Sequence, residues 1–159
     1  VTTSEDMVQR LNSVMASGMW IQDIVALNEG AKTAMAVVAA SDYIVTVREG
    51  YMPKELLLCA VDAFYQQERI EVVKVTKTKE TQLDIKPLIY QMQERDGGIY
   101  LFLSAGSVEN IKPELVMEAM CGYLNLPYQK LAFRIHRLET YMRAENGQLV
   151  SLLEAGKHF

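Results

Sequence analysis

The sequence is short of the residues that build metal centres and disulfide frameworks. Among its 159 residues there are two cysteines and two histidines. Cys59 and Cys121 lie in apolar helical patterns, and neither has a histidine or a second cysteine at metal-ligand spacing. We expect both thiols to be buried and reduced, because cysteine packs well as a small hydrophobe. The scarcity excludes a zinc motif, leaves little material for a Ser-His-Asp triad, and predicts no bound cofactor.

Long hydrophobic runs are lacking too. No apolar run approaches the roughly 20 residues that a membrane-spanning helix needs. The opening VTTSEDMVQRL has acidic residues early and no basic region, so it does not read as a signal peptide. Hydrophobic residues make up 50% of the chain and charged residues 23%, as in ordinary soluble domains. We expect a cytoplasmic protein without a membrane partner, folded as a single α+β domain over residues 1–159.

An excess of positive charge is also absent, since the formal net charge is −4. This value argues against a generic nucleic-acid binder. One stretch departs from it, because residues 69–86 hold three acids against five bases. Such a strip attracts an anion over roughly 10 Å before salt screens its field. A solvated strand edge protected by lysines is the plainer interpretation. The five bases are Arg69, Lys74, Lys77, Lys79 and Lys86.

What is present is an alternation of helical and strand patterns. Apolar spacing predicts helices that start after Thr3 or Ser4, cover 31–40, start after Pro53, and run from Pro113 to Tyr123. Strands are predicted over 19–27, 43–48, 69–79, 82–93, 99–103 and 131–141.

The order of these elements predicts the fold class. Asp96-Gly97-Gly98 is a tight-turn signal that joins two strands into a hairpin. Pro87 cannot donate to a strand ladder, so it implies an edge strand or a bulge. Helices alternating with strands, together with a hairpin, favour an α+β fold. We expect a mixed, mostly antiparallel sheet with helices on one face, built from ferredoxin-like (split βαβ) units.

The first candidate site is the segment that joins a strand to the helix at Pro113. A glycine- and serine-rich loop before a helix exposes backbone N–H groups, and the helix dipole favours an anion there. The spacing is not that of a P-loop. The alternative is structural, with Asn110 capping the helix and Gly106 and Ser107 turning the chain. The predicted anion ligands are Ser104, Gly106, Ser107, Asn110 and Lys112.

The second candidate is the group Arg134, His136 and Arg137. Arg134 and His136 should point to the same side of a strand, away from Phe133 and Ile135. Arginine binds phosphate or carboxylate through two hydrogen bonds, and histidine changes charge near neutral pH. The alternative is structural, a salt bridge across strands to Asp84 or Glu139.

The third candidate is the pair Asp84 and Lys86, outward-facing neighbours before Pro87. A carboxylate beside a lysine can perform acid–base chemistry if it is buried. An exposed pair is worth well under about 1 kcal/mol and is the commoner case. Trp20, Tyr43, Tyr51 and Tyr100 form no recognisable stacking platform in the sequence.

Three sequence blocks carry a resemblance to a known family. They are LDIKPLIY (83–90), LSAGSVENIKPELVMEAM (103–120) and FRIHRLETY (133–141). In this order they resemble the C-terminal half of the radical-SAM-linked proteins, a bacterial family of unknown function. The family is encoded beside, or fused to, a cobalamin-type radical SAM protein. The resemblance is strongest over residues 83–141, and it implies a radical SAM partner and a role in RNA or tRNA modification.

The resemblance also has a gap. The family's His-Leu-Asp helix and Gly-Phe-Asn-Pro-His-Pro-Lys loop have no counterpart in this chain. We therefore expect a fragment or a shortened gene product that lacks the N-terminal segment of the family. An open sheet edge or apolar face is then predicted near residues 1–3 and 43–48, with a homodimer as its consequence.

Three functional hypotheses follow. The first is an accessory or substrate-binding domain that presents an anionic substrate to a radical SAM protein near Lys112, Arg134, His136 and Arg137. The second is an RNA-binding module that uses Lys74, Lys77, Lys79, Arg134 and Arg137. The third is a small enzyme that uses Asp84 and His136, and it requires the two side chains to meet in a cleft.

Overall fold

The computed structural model describes residues 2–75, 80–107 and 109–159, with the backbone alone at Lys74 and Val75. In chain order the helices are α1 (Ser4–Asn12), α2 (Ala34–Val37), α3 (Lys54–Tyr65) and α4 (Pro113–Tyr123). The strands are β1 (Ala26–Leu27), β2 (Val38–Val47), β3 (Glu71–Val75), β4 (Glu80–Asp84), β5 (Ile89–Arg95), β6 (Gly98–Ser104), β7 (Phe133–Arg143), β8 (Leu149–Ser151) and β9 (Gly156–Lys157).

The main sheet has five strands in the order β5-β6-β2-β7-β8, and every neighbouring pair is antiparallel. The connection from β2 through α3 leads to β5, and β6 lies between those two strands. The connection from β6 through α4 leads to β7, and β2 lies between them. These are two interlocked split βαβ units, so the predicted α+β fold with ferredoxin-like units is confirmed.

Helices α3 and α4 pack on one face of this sheet because each carries an apolar stripe at helical spacing. The stripe of α3 is Leu57, Val61 and Phe64, and all three are buried. The central strand β6 contributes Ile99, Leu101 and Leu103 to the same core. Residues between them, Tyr100 and Phe102, therefore point to the other face of the sheet. We call that second face, which lies away from α3 and α4, the open face.

The hairpin between β5 and β6 forms as the sequence predicts. Asp96 and Gly97 have φ angles of 53° and 69°, the left-handed pair that a two-residue type I′ turn requires. The predicted helix Pro113–Tyr123 is also confirmed at both ends. Asn125, with φ of 54°, follows it in the left-handed conformation that commonly ends a helix.

Two of the predicted strands and one predicted helix are shorter or differently placed. The segment 82–93 is broken by a 3₁₀ turn (Lys86–Leu88) that contains Pro87, and β4 and β5 belong to different sheets. Residues 19–27 contribute only β1. The helix predicted over 31–40 shrinks to α2, because Val38 already begins the strand that pairs with β6 and β7. Strand pairing here outweighs the helical preference of alanine.

The first and last described segments hold each other. The Ser4 N–H donates to the carbonyl oxygen of Phe159 at 2.8 Å. The imidazole of His158 lies 2.8 Å from the carboxylate of Asp23, and β1 pairs with β9. Strand β2, which contains residues 43–47, is the central strand of the sheet, so the expected open edge at 43–48 is wrong.

The two cysteines differ in their surroundings. Cys121 is fully buried on α4, as predicted, whereas Cys59 is exposed on α3. Cys59 falls two residues from both Leu57 and Val61 and so lies outside the buried stripe of its helix. Within the described ranges, no helix has the length and hydrophobicity that crossing a bilayer would require.

Candidate functional site

The structure does not bring the two predicted anion-binding groups together. Along the central strand β2, Ser104 lies opposite Ala40, while Arg134 lies opposite Thr46. Six residues of extended strand separate these positions, which is roughly 20 Å at about 3.3 Å per residue. The expected hollow shared by the 104–112 loop and the Arg134–His136 strand is therefore not formed.

The basic residues of β7 are themselves divided between the two faces of the sheet. Arg134 and His136 lie opposite Thr46 and Ile44 and share the open face, as their spacing predicts. Arg137 lies opposite Tyr43, whose ring packs against the core. Arg137 consequently lies on the face of α3 and α4 and does not join the other two.

The loop that precedes α4 is folded back on itself. The Ser104 hydroxyl donates to the carbonyl oxygen of Glu109 at 2.8 Å, and Ala105 forms a bridge with Asn110. The residue that caps α4 is Lys112, without a side-chain hydrogen bond. The expectation that Asn110 caps the helix is therefore wrong. Val108 of this loop lies outside the described residues.

Gly106 and Ser107 border a depression at the end of the sheet, which we call the sheet-end depression. Its volume is about 270 Å³. Buried Ser104 and exposed Arg143, the last residue of β7, both line it. Its walls also contain Val38, Ala39, Tyr90 and Glu109.

Two irregularities in the strands shape this depression. The pairing of β2 with β7 skips Ala39, and the pairing of β5 with β6 skips Tyr90. Each is a β-bulge, which places an extra residue on one strand and redirects its side chain. The Tyr65 hydroxyl donates to the carbonyl oxygen of Tyr90 at 3.0 Å and holds the second bulge. Bulges of this kind are common beside functional sites.

An aromatic row lies next to the depression on the open face. The rings of Tyr90 and Phe102 meet edge to face with 5.5 Å between their centres. The rings of Phe102 and Tyr141 meet in the same way at 5.0 Å. Tyr90 is 38% exposed. The row thus offers a partly open aromatic surface that continues the wall of the sheet-end depression.

The buried carboxylate of Asp42 fixes one end of this row. One of its oxygens accepts hydrogen bonds from the hydroxyls of Tyr100 and Tyr141 at 3.0 and 3.1 Å. Its other oxygen accepts the Glu139 N–H at 2.8 Å. Three donors from β6 and β7 thereby compensate a carboxylate that is only 5% exposed. Asp42 acts here as a structural acceptor that joins three strands.

This environment changes the acidity of both tyrosines. Burial raises the pKa of Tyr100 to about 12, and the hydrogen bond to Asp42 acts in the same direction. Burial and the same carboxylate raise the pKa of Tyr141 to about 12. Both hydroxyls are therefore neutral near pH 7 and serve as hydrogen-bond donors rather than bases.

The third candidate, Asp84 with Lys86, is engaged in local structure. One oxygen of Asp84 accepts the backbone N–H groups of Ile70 and Lys86 at 2.9 and 3.0 Å. The Lys86 ammonium donates to the Tyr65 carbonyl and lies 3.5 Å from the centre of the Tyr65 ring. The backbone hydrogen bond from Ile70 is the main reason that the pKa of Asp84 is lowered. Asp84 is thus a poor proton acceptor.

The remaining expectations concern ions and the lysine strip. Among residues 2–75, 80–107 and 109–159, no three His, Cys, Asp or Glu side chains lie close enough to hold a metal ion. The side chains of Lys74, Lys77 and Lys79 lie outside the described residues. Of the five bases in the RNA-binding hypothesis, Arg134 is therefore the one whose side chain is described and lies on the open face.

Sequence reasoning missed the residues that make the open face distinctive, namely Asp42, Tyr90, Phe102, Tyr141 and Arg143. One available signal was the alternation Tyr100-x-Phe102 in the predicted strand 99–103, whose other residues are all aliphatic, because it places two aromatic rings on the same face. The bulges at Ala39 and Tyr90 leave no such pattern. Pairing across the sheet is what creates them.

Comparison with known proteins identifies the family. The family model described as an uncharacterized protein conserved in bacteria (DUF2344) matches residues 1–113. This match covers more than half of the chain, and the chain belongs to that family. It includes α1 and ends at the first residue of α4, whereas the resemblance was expected to be strongest over 83–141. No curated protein and no solved structure matches the chain.

The acidity of the tyrosine pair gives a first prediction. In a spectrophotometric titration of the eight tyrosines, Tyr100 and Tyr141 should ionise near pH 12. Unfolded tyrosine ionises near pH 10, at about its reference value. The stabilisation from the neutral hydroxyls is thus complete below about pH 10 and is lost as pH rises toward 12.

The Asp42→Asn variant tests how far the Asp42 carboxylate contributes to the raised pKa of both tyrosines. Removing the negative charge should move both midpoints toward 10, and Tyr141→Phe should remove one of the two late transitions. Tyr51→Phe, at an exposed position, is the control and should leave both late transitions in place. Midpoints near pH 10 for both tyrosines in the wild type would contradict the arrangement.

Proposed function

We propose that this member of the uncharacterized bacterial family is a non-catalytic binding domain that presents an anionic substrate to a radical SAM protein. The observation that carries the proposal is the Tyr90–Phe102–Tyr141 row, which borders the sheet-end depression that Arg143 also lines. The proposal keeps the predicted Ser104, Gly106 and Ser107 and moves the cation from Arg134 to Arg143.

The groups at the depression suit a substrate with a charged end and a flat ring. Arginine presents five N–H donors in a fixed fork, and one of those on Arg143 donates to the Gly147 carbonyl at 2.9 Å. The remaining donors suit a phosphate or carboxylate. The ring of Tyr90 offers an aromatic surface, and Glu109 offers an acceptor for a hydroxyl or amino group. A nucleotide unit combines these features.

The available acids support binding rather than catalysis. Asp42 already accepts three hydrogen bonds, and Asp84 accepts two from the backbone. The enzyme hypothesis needs Asp84 and His136 in one cleft, but Asp84 lies on β4 of the two-stranded sheet and His136 on the open face of the five-stranded sheet. The chemistry is accordingly assigned to the partner protein.

Ligand binding gives the second prediction. Titration with a nucleoside monophosphate, followed by calorimetry or NMR, should give a dissociation constant in the micromolar to millimolar range. Arg143→Gln should weaken binding by about tenfold, because a charge-assisted hydrogen-bonded contact is worth about 1.5–3 kcal/mol. Tyr90→Ala should weaken it less, by about fivefold, through the loss of stacking surface.

Arg134→Gln is the matched control, since Arg134 is an exposed cation on the same face at the far end. It should bind the mononucleotide as the wild type does. Equal losses in Arg134→Gln and Arg143→Gln would indicate general charge attraction, and no binding at millimolar ligand would count against the substrate site.

A second candidate function is RNA binding across the whole open face. Single-stranded RNA is commonly recognised by antiparallel sheets whose open face carries aromatic side chains for stacking. Here Tyr100 and Phe102 stand at alternate positions of β6, and Arg134 and His136 are exposed further along the face. The analogy concerns the fold and its face alone.

The third prediction separates RNA from a small substrate. If RNA is the ligand, a single-stranded oligonucleotide that reaches from Arg143 to Arg134 should bind more tightly than a mononucleotide. Arg134→Gln should then weaken the oligonucleotide alone. The logarithm of the binding constant should fall with the logarithm of salt with a slope of about −0.7 for each phosphate contacted. A flat salt dependence would remove this candidate.

The fourth prediction concerns the partner. The tagged chain, co-expressed with the radical SAM protein that the resemblance implies as its partner, should co-purify with that protein. The two should also elute together in size-exclusion chromatography at about 10 μM, a concentration at which a complex with a binding free energy more favourable than about −7 kcal/mol persists. An unrelated radical SAM protein is the control. Separate elution at that concentration would argue against the accessory role, while leaving the ligand measurements to be judged by themselves.

A further inference from the structure

A groove on the opposite side of the molecule has the features of a peptide-binding site. It lies between strand β3 and helix α4 and has a volume of about 410 Å³. We call it the β3–α4 groove. Its strand wall is residues 71–73, its helix wall is Leu115, Glu118, Ala119 and Gly122, and Phe64 and Ile70 lie beneath.

The strand wall is an edge of β3 rather than one of its faces. Successive residues of a strand point to opposite faces, so a groove over one face would be lined by every second residue. Glu71, Val72 and Val73 are consecutive, and all three line the groove. The groove therefore runs along the strand, beside its backbone.

That edge carries hydrogen-bonding groups that β4 does not use. The Ile85 N–H donates to the Ile70 carbonyl at 2.8 Å. From this pair the antiparallel alternation continues, so Val72, opposite Leu83, directs its N–H and C=O toward β4. Glu71 and Val73 direct theirs away. No hydrogen bond between described residues reaches the N–H groups of Glu71 and Val73 outside the β3–β4 pair.

The helix wall leaves room for an added strand. A Cβ built on Gly122 meets no atom within 4 Å. Val73 is 55% exposed and Tyr123 is 44% exposed, so apolar side chains at both sides of the groove are open to solvent. A free strand edge beside an apolar helix is the arrangement by which several peptide-binding domains take up an extended peptide as an additional strand.

Charge indicates the chemistry of the occupant. Glu118 lines the groove, is exposed, and has no cation within salt-bridge distance among the described residues. Glu71, at the start of the strand wall, already lies 3.6 Å from the guanidinium of Arg69. An extended segment that brings a lysine or arginine would complement the Glu118 carboxylate.

We infer that the β3–α4 groove binds an extended segment of a partner protein. The segment adds a strand to β3, places apolar side chains toward Ile70 and Leu115, and sets a basic residue against Glu118. A second copy of this chain fits less well, because the β3 edge of that copy lies beside the α4 helix of the same copy and is not free to pair. The inference does not depend on the ligand of the open face.

The experiment uses the full chain as bait for a phage-displayed library of random nonapeptides. Peptides recovered from the selection are synthesised, and their affinities are measured by fluorescence anisotropy. We expect them to share alternating apolar residues and a basic residue. In ¹H–¹⁵N spectra the amides of Glu71 and Val73 should shift on binding, since those N–H groups gain acceptors.

Gly122→Trp is the test variant, because the new side chain enters the groove from a position where a Cβ has open space. It should weaken peptide binding by at least tenfold. Ala63→Phe is the control, an enlarged exposed position of α3 outside the groove, and should bind as the wild type does. Glu118→Lys should weaken the basic peptides by about fivefold.

A second variant covers the case in which Gly122→Trp does not fold by circular dichroism. Val73→Pro removes one edge N–H and leaves the hydrogen bonds of Val72 to β4, and an edge strand tolerates proline. It should weaken the same peptides by at least tenfold. Folding of each variant is checked before binding is measured.

Several results would overturn the inference. They are a selection that yields no binding peptide, peptides that bind Gly122→Trp as tightly as the wild type, and amide shifts confined to β5 or β8. A wild-type dimer in light scattering that Gly122→Trp converts to a monomer would also overturn it, since the occupant would then be a second copy.

Discussion

The packing of α3 and α4 against the central strands is the constraint on which the rest of the structure depends. Two helices suffice to cover one face of a five-stranded sheet, and the buried residues of β6 alternate with residues that they cannot cover. The second face must therefore satisfy its own polar groups. It does so with the Asp42 carboxylate and its tyrosine donors, which take the place of a helix as a cross-link between strands.

The sequence predicts the fold to the extent that local patterns determine it. The helix Pro113–Tyr123, the stripe of α3 and the Asp96-Gly97 turn follow from spacing and turn chemistry within a few residues. The prediction of a helix over the alanine-rich segment 31–40 is wrong beyond Val37, because Val38 and the residues after it pair as a strand of the sheet. The prediction that Cys59 is buried is wrong for a simpler reason. The apolar residues around it in the sequence face the core, whereas Cys59 lies outside their stripe on the helix.

The candidate site is less predictable, since it depends on contacts between distant parts of the chain. Ser104, Gly106 and Ser107 stand out in the sequence, and they do border a depression. Arg143 and Tyr90 complete it from β7 and β5, which lie far away along the chain. The prediction that Ser104 and Arg134 form one site did not take the direction of the strands into account. The two residues pair with opposite ends of β2.

Strand β7 contains a further bulge, between Arg137 and Glu139, that affects how the open face tolerates change. Arg134 and His136 are even-numbered, whereas Glu139 and Tyr141 are odd-numbered, and all four share the open face because the pairing with β2 skips Leu138. Deleting Leu138 would therefore leave Glu139 opposite Asp42 and Tyr141 on the open face, because the strand would then alternate without interruption. Deleting two residues here would shift the strand by one position and turn Tyr141 into the hydrophobic interior. The strand thus carries one residue more than its pairing needs, and the loss of one codon at the bulge would change this surface little.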